Sequence, residues 1–164
     1  MFHDTGASVS RRCEEILRGL PEWFGIEQAI QDYERFIRAA PTFTIAHGVE
    51  QVAGFISLKR HSPTSAEVYV MAVDARHHGT GLGTMLLAEV ERWCASEGVH
   101  FLQVKTLDAS ASSAPYAATR RFYEAQGFTL LEVFPELWDP WNPCALYIKY
   151  LDCQRVSSCS SVSR

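Results

Sequence analysis

The stretch 73-VDARHHGTGLGTMLL-87 decides the fold. Before it, residues 66–73 (AEVYVMAV) are rich in β-branched and aromatic side chains, the composition of a strand. After it, Leu82, Met85, Leu86, Val90 and Trp93 recur at helical spacing, and Gly98 stops the pattern. Between strand and helix, Gly79, Gly81 and Gly83 fall at alternate positions. Glycines there expose successive backbone N–H groups, and the helix start adds the positive end of its dipole. Arg76 adds a charge nearby. An anion is the natural guest, and a pyrophosphate fits best. The alternative is a tight turn whose glycines serve backbone geometry alone.

Three other phosphate loops fail on the residues. The dinucleotide fingerprint GxGxxG, started at Gly79, meets Thr84 at its last glycine, and the preceding strand belongs to a meander. The nucleotide loop GxxxxGK[ST] needs a lysine that is not here. The kinase glycine loop needs a downstream catalytic set that 164 residues cannot hold.

Outward from the loop, residues 8–20 predict a helix with Cys13, Ile16, Leu17 and Leu20 on one face. LPEWFG (20–25) interrupts it, and residues 26–40 predict a second helix on Ile26, Ile30, Tyr33 and Ile37. Phe43 and Ile45 alternate with threonines in a first strand. HGVEQ (47–51) turns the chain, and Val52 to Leu58 form the second strand of a hairpin. HSPTS (61–65) leads into the strand 66–73. Past the glycine helix come a strand at 99–107, a loop at 108–115, a helix at 116–126 and a strand at 128–134. PELWDPWNP (135–143) is expected as a loop, and 144–151 as the last strand. The order ααβββαβαββ predicts a mixed-sheet α/β (α+β) architecture. One domain is expected over 1–152, with 153–164 a disordered serine-rich tail.

Composition excludes several classes. A net charge of -4 with no basic stripe argues against nucleic acid. No apolar run reaches the roughly 20 residues of a membrane span. No signal layout opens the chain, so the expected location is cytoplasmic. Five cysteines are scattered without a CxxC pair, which argues against a metal site or a disulfide framework.

Arg76-His-His-Gly79-Thr-Gly81-Leu-Gly83 resembles the [QR]xxGxG[AG] acetyl-CoA loop of the GNAT superfamily of N-acetyltransferases. The strand before the loop and 122-FYEAQGF-128 after it match further signatures, with Tyr123 in the place of the family tyrosine. LPEWFG, FLQVKTL (101–107) and NPC (142–144) resemble a bacterial branch of unspecified substrate. Two positions depart from the pattern: Tyr116 stands where an asparagine is frequent, and Thr119 where alanine is. The family's first strand would have to fall within residues 1–8, so it is expected to be short or missing.

The resemblance implies a GNAT-like fold, with a mostly antiparallel sheet splayed at the fourth family strand. It implies transfer of an acetyl group from acetyl-CoA to a primary amine in a ternary complex, without a metal. Backbone groups of His78, Gly79, Thr80, Gly81, Leu82, Gly83 and Thr84, with Arg76, would hold the pyrophosphate. Met71, Ala72 and Val73 would contact the acetyl carbonyl and pantetheine, with Tyr116 and Tyr123 also at the cofactor. Tyr123 would protonate the leaving thiolate; a core aromatic is its bland alternative. Glu67 shares a strand face with Tyr69 and Met71 and is the expected base, the alternative being an exposed strand glutamate. Such a base needs a raised pKa or a relaying water. His61 is a substitute base, and Lys105 is either near the site or a surface lysine.

Trp23, Phe24 and Trp138, with Trp141, either line an aromatic acceptor pocket or pack their loops on the core. Tryptophans in both loops favour a small-molecule amine over a peptide. A non-catalytic acyl-CoA sensor is the reading from another class. Dimers are frequent in the superfamily, so a homodimer stays open.

Overall fold

Helix α1 (Ala7–Arg18) and helix α2 (Glu27–Ala39) open the computed structural model, which describes residues 7–48 and 50–152. The expected first family strand and the serine-rich tail both fall outside the described residues. Cys13, Ile16 and Leu17 on α1, with Leu20 just beyond it, are buried as their spacing requires. Arg18 in the last turn of α1 bonds Glu14 on its own helix and Glu27 at the start of α2. Ile30 and Ile37 form the buried face of α2, while Ile26 lies outside the helix and is exposed.

Strand β1 (Thr42–His47) runs antiparallel to β2 (Glu50–Ser62), with Thr42 opposite Ser57 and Ile45 opposite Gly54. The alternation expected in β1 is overturned: Thr42 to Ile45 are all buried. Thr42 tolerates this because its hydroxyl lies 2.7 Å from Ser57 Oγ and donates to backbone carbonyls of Ile37 and Ala40. A Cβ on Gly54 would sit 3.1 Å from the Ala72 carbonyl oxygen, so only glycine lets the backbones approach this closely.

Strand β3 (Ser65–Val73) leads through a short 3-10 turn at Ala75–His77 to α3 (Leu82–Ser96). The apolar face of α3 is Leu82, Leu86, Leu87, Val90 and Cys94; Met85, expected on it, is 52% exposed. Strand β4 (Phe101–Leu107), helix α4 (Ala114–Ala125), β5 (Thr129–Asp139) and β6 (Asn142–Tyr150) follow. The six strands are hydrogen-bonded in the order β1-β2-β3-β4-β6-β5, and β6 is antiparallel to both β4 and β5.

The loop expected at 135–143 is instead strand on both sides of a two-residue turn, Pro140-Trp141. The Asp139 carboxylate makes that turn by accepting the backbone N–H groups of Trp141 and Asn142 and the Asn142 amide. Pro135 is admissible because β5 has a partner on only one side. Pro143 falls where the β5–β6 register slips between Phe134 and Asp139.

The chain divides into two compact units. The first comprises residues 1–59 and 68–89, with a core of Cys13, Ile16, Leu17, Leu20, Ile30, Ile37, Val52, Phe55, Val70 and Ala72. The second comprises residues 60–67 and 90–164, where Val90, Cys94, Leu102, Val104, Tyr123, Phe128, Ala145 and Tyr147 are buried. No described helix is long and apolar enough to cross a membrane.

Candidate active site

In the first unit, the glycine loop takes its shape from Gly79 at φ 75° and Gly81 at φ 85°. Side-chained residues rarely hold that conformation, which explains these two glycines. A Cβ added at either would meet nothing within 4 Å, so the space above the loop is open. Gly83 differs: it lies in the first turn of α3, whose opening N–H groups have no intrahelical acceptor. The loop closes on itself through Thr80 Oγ1, which donates to the His77 carbonyl at 2.6 Å. His78 reaches back instead, its Nε2 donating to the Val73 carbonyl at 2.8 Å. The His78 ring also meets Trp23 edge-on, with centroids 5.9 Å apart. His77 lies beside His47, which nothing in the sequence singled out, at 4.6 Å between centroids.

The structure places Arg76 on a carboxylate. Its guanidinium bonds Asp74 at 2.7 and 3.0 Å, and Arg12 bonds the same group at 2.7 Å. Arg76, helped by its own N–H and by Arg12, holds the Asp74 carboxyl far below its ordinary range against a burial cost. The loop's remaining positive character is that of its backbone dipoles. Open space, glycine-shaped N–H groups and a helix start suit a pyrophosphate. On β3, Ala72 is buried while Tyr69, Met71 and Val73 are partly open, the alternation that period two requires.

Glu67 belongs to the second unit and is 5% exposed, so the exposed strand glutamate is excluded. Three donors converge on one oxygen, Oε2: His61 Nε2 at 2.6 Å, Lys105 Nζ at 2.8 Å and Gln103 Nε2 at 3.4 Å. Burial alone would push the carboxyl up; the bonds and charges of Lys105 and His61 outweigh it and hold it below its ordinary range. The raised pKa that a direct base requires is not found. Lys105 is thus no loose surface lysine. Gln103 was missed by the sequence reading, although it alternates with Lys105 on β4 and period two puts them on one face.

Tyr123, on α4, is buried between Phe122 and Phe128, with ring centroids 5.3 and 5.4 Å away. Desolvation pushes its phenol well above the ordinary range, so it stays protonated at neutral pH. Tyr116, near the start of the same helix, is half-buried, and burial raises its phenol too. Trp23 and Phe24 pack against the first unit's core, where Phe24 meets Tyr33 edge-on at 5.7 Å. Trp138 is 47% and Trp141 85% exposed, which overturns a packed C-terminal aromatic loop. No cluster of metal-ligating side chains occurs among the described residues.

Residues 11–128 match the sequence model of the acetyltransferase (GNAT) family. No curated protein matches the chain by sequence. Among solved structures, a protein from Desulfovibrio desulfuricans assigned to the GNAT family superposes with a TM-score of 0.78 at 18% identity, over 90% of this chain and 96% of that one. An aminoglycoside 6'-N-acetyltransferase complexed with coenzyme A gives 0.71 at 18% identity, over 92% and 94%. The ribosomal-protein-S18-alanine N-acetyltransferase of Escherichia coli gives 0.71 at 15%, over 89% and 90%. At these identities the likeness shows the fold.

Proposed function

The chain belongs to the acetyltransferase (GNAT) family, and from that premise we propose that it moves an acetyl group from acetyl-CoA to a primary amine of a small molecule. The observation that carries this reading is the open, positive-φ glycine loop at the start of α3. In the proposed complex, the N–H groups of Gly79 and of Gly81 to Thr84 hold the pyrophosphate, while those of His78 and Thr80 donate to the Ala75 and His77 carbonyls. N–H groups of Met71 to Val73 bond the thioester carbonyl and pantetheine, and one aimed at the developing oxyanion contributes about 3 kcal/mol. Acetyl-CoA supplies the activated acyl group; every other role falls to the protein.

Tyr123 is proposed as the donor to the leaving sulfur. A thiol titrates near about 8.5, so complete transfer from a phenol pushed upward is uphill. Its contribution is then a hydrogen bond to the forming thiolate. Trp23 and Phe24 are proposed to border the acceptor, with their outer edges available because both are only partly buried.

The exposure of Trp138 and Trp141 favours a second reading, a protein or peptide acceptor, because those side chains are available to a larger partner. An amine panel resolves the two. Thiol release from acetyl-CoA is followed with small di- and polyamines, aminoglycosides, and peptides with free N-termini or lysines. Turnover of small amines with peptides inert supports the proposal. Preference for peptides moves the acceptor to the second reading. Tight CoA binding without turnover of any amine would sink the transferase reading in favour of an acyl-CoA sensor.

A further inference from the structure

We propose that His61 takes the proton from the acceptor amine, and that Glu67 is the positioning residue that fixes its tautomer. The proposal rests on the acetyl-transfer reading above. His61 lies at the end of β2, within the second unit, and its Nε2 is 2.6 Å from Glu67 Oε2. An ionised carboxylate only accepts, so Nε2 must carry the hydrogen. The lone pair of the neutral ring then sits on Nδ1, which has no hydrogen-bond partner among the described residues. The His61 side chain is 34% exposed, and the proposal needs Nδ1 on its open side, where a substrate or a bridging water can meet it.

Glu67 is poorly built to accept a proton itself. Three donors converge on its Oε2, and the bonds and charges of Lys105 and His61 favour the ionised carboxylate over the protonated one. Lys105 matters in the opposite sense: its ammonium keeps the carboxylate ionised, which keeps Nε2 as the N–H. The other groups facing the cluster do not compete. Cys144 on β6 is buried and its thiol is pushed up by desolvation, with Lys105 and Glu67 acting on it in opposite directions. Arg60, beside His61, bonds Glu97 and the carbonyls of Ser62 and Pro63. A carboxylate that orients an imidazole and leaves its second nitrogen without a hydrogen-bond partner is a known solution for a general base.

The protons balance. The ammonium acceptor loses one proton to Nδ1, directly or through one water. The freed lone pair forms the C–N bond, and the C–S bond breaks with its electrons on sulfur. The second nitrogen proton ends on the thiol, and Nδ1 returns its own to solvent.

Two measurements on the full chain test this. In long-range 1H–15N spectra of histidine-labelled protein, neutral His61 is expected as the Nε2–H tautomer, and E67Q should yield a mixture. With the most active amine of the panel, H61A and H61N should lose about 100- to 1,000-fold in kcat/KM. Their KM for acetyl-CoA should stay within twofold. The acidic limb of the pH profile should vanish in both, and free imidazole should restore rate to H61A. E67Q should keep the limb at a lower rate. An Nδ1–H tautomer in the wild type, or an acidic limb that survives in H61A, overturns the proposal while leaving the transferase reading intact. Absence of wild-type turnover across the panel overturns both. The spectra need no variant to fold, so misfolding of H61A cannot hide the answer.

Discussion

The glycine loop and the Glu67 cluster solve opposite problems. The loop offers chemistry through its backbone: Gly79 and Gly81 hold positive φ, space lies open above them, and its charged neighbour Arg76 is turned to Asp74. The cluster offers chemistry through side chains: Glu67 is buried, and His61, Gln103 and Lys105 all bond one of its oxygens. A backbone site should tolerate loss of side chains and fail when φ is forbidden. A side-chain site should behave the other way round.

The largest expected effect breaks the cluster. Glu67→Ala leaves the partly exposed Lys105 and His61 without their shared acceptor, and leaving charged donors unanswered costs about 3 kcal/mol. Urea denaturation should register it; a loss below 1 kcal/mol would mean the cluster is not a structural unit. Glu67→Gln is milder and carries a pH signature. The folded carboxyl lies below its unfolded value of about 4.3, as the Lys105 and His61 contacts require. Its stabilisation is therefore complete above that pH and lost as pH falls through the folded value. The Tm gap between wild type and Glu67→Gln should be widest near neutrality and close below about pH 4.

Tyr123→Phe removes a hydrogen bond to a charged sulfur, about 1.5–3 kcal/mol. We expect kcat to fall about 10- to 100-fold with acetyl-CoA affinity retained; an unchanged kcat would return Tyr123 to a purely packing role. Gly81→Val forces a β-branched residue to φ 85°. The free loop relaxes to avoid strain of about 1–3 kcal/mol, and restoring its shape on binding should weaken acetyl-CoA affinity roughly 10- to 100-fold, measured by calorimetry. The smallest effect is the control on exposed side chains. Trp141→Ala should change stability by no more than about 0.5 kcal/mol, because that ring is 85% exposed. Trp23→Ala, which uncovers packed core, should cost more in the same denaturation series.

The sequence was most legible where periodicity and glycine act locally. The helical faces of α1 and α2 and the strand–glycine–helix passage at 66–96 were readable because each is dictated by neighbours within a few residues. It misled where a distant partner decides. Thr42 reads as the polar side of a strand but is buried, because Ser57, fifteen residues on, answers its hydroxyl. Residues 135–143 read as loop because proline and aspartate usually signal one, yet an edge position and the Asp139 turn let two strands pass through them.

The same division runs through the candidate site. By itself, the sequence determined that a positive-φ glycine loop joins β3 to α3, since a glycine's access to positive φ is a property of that residue alone. It also determined the family resemblance, which hangs on that loop and on Tyr123. Only the tertiary structure decided what Glu67 is. Its pKa and its partners come from burial and from His61, Gln103 and Lys105, which arrive from six to thirty-eight residues away. A carboxylate's chemistry is set by the charges and donors around it in space, and no local pattern in the chain encodes those.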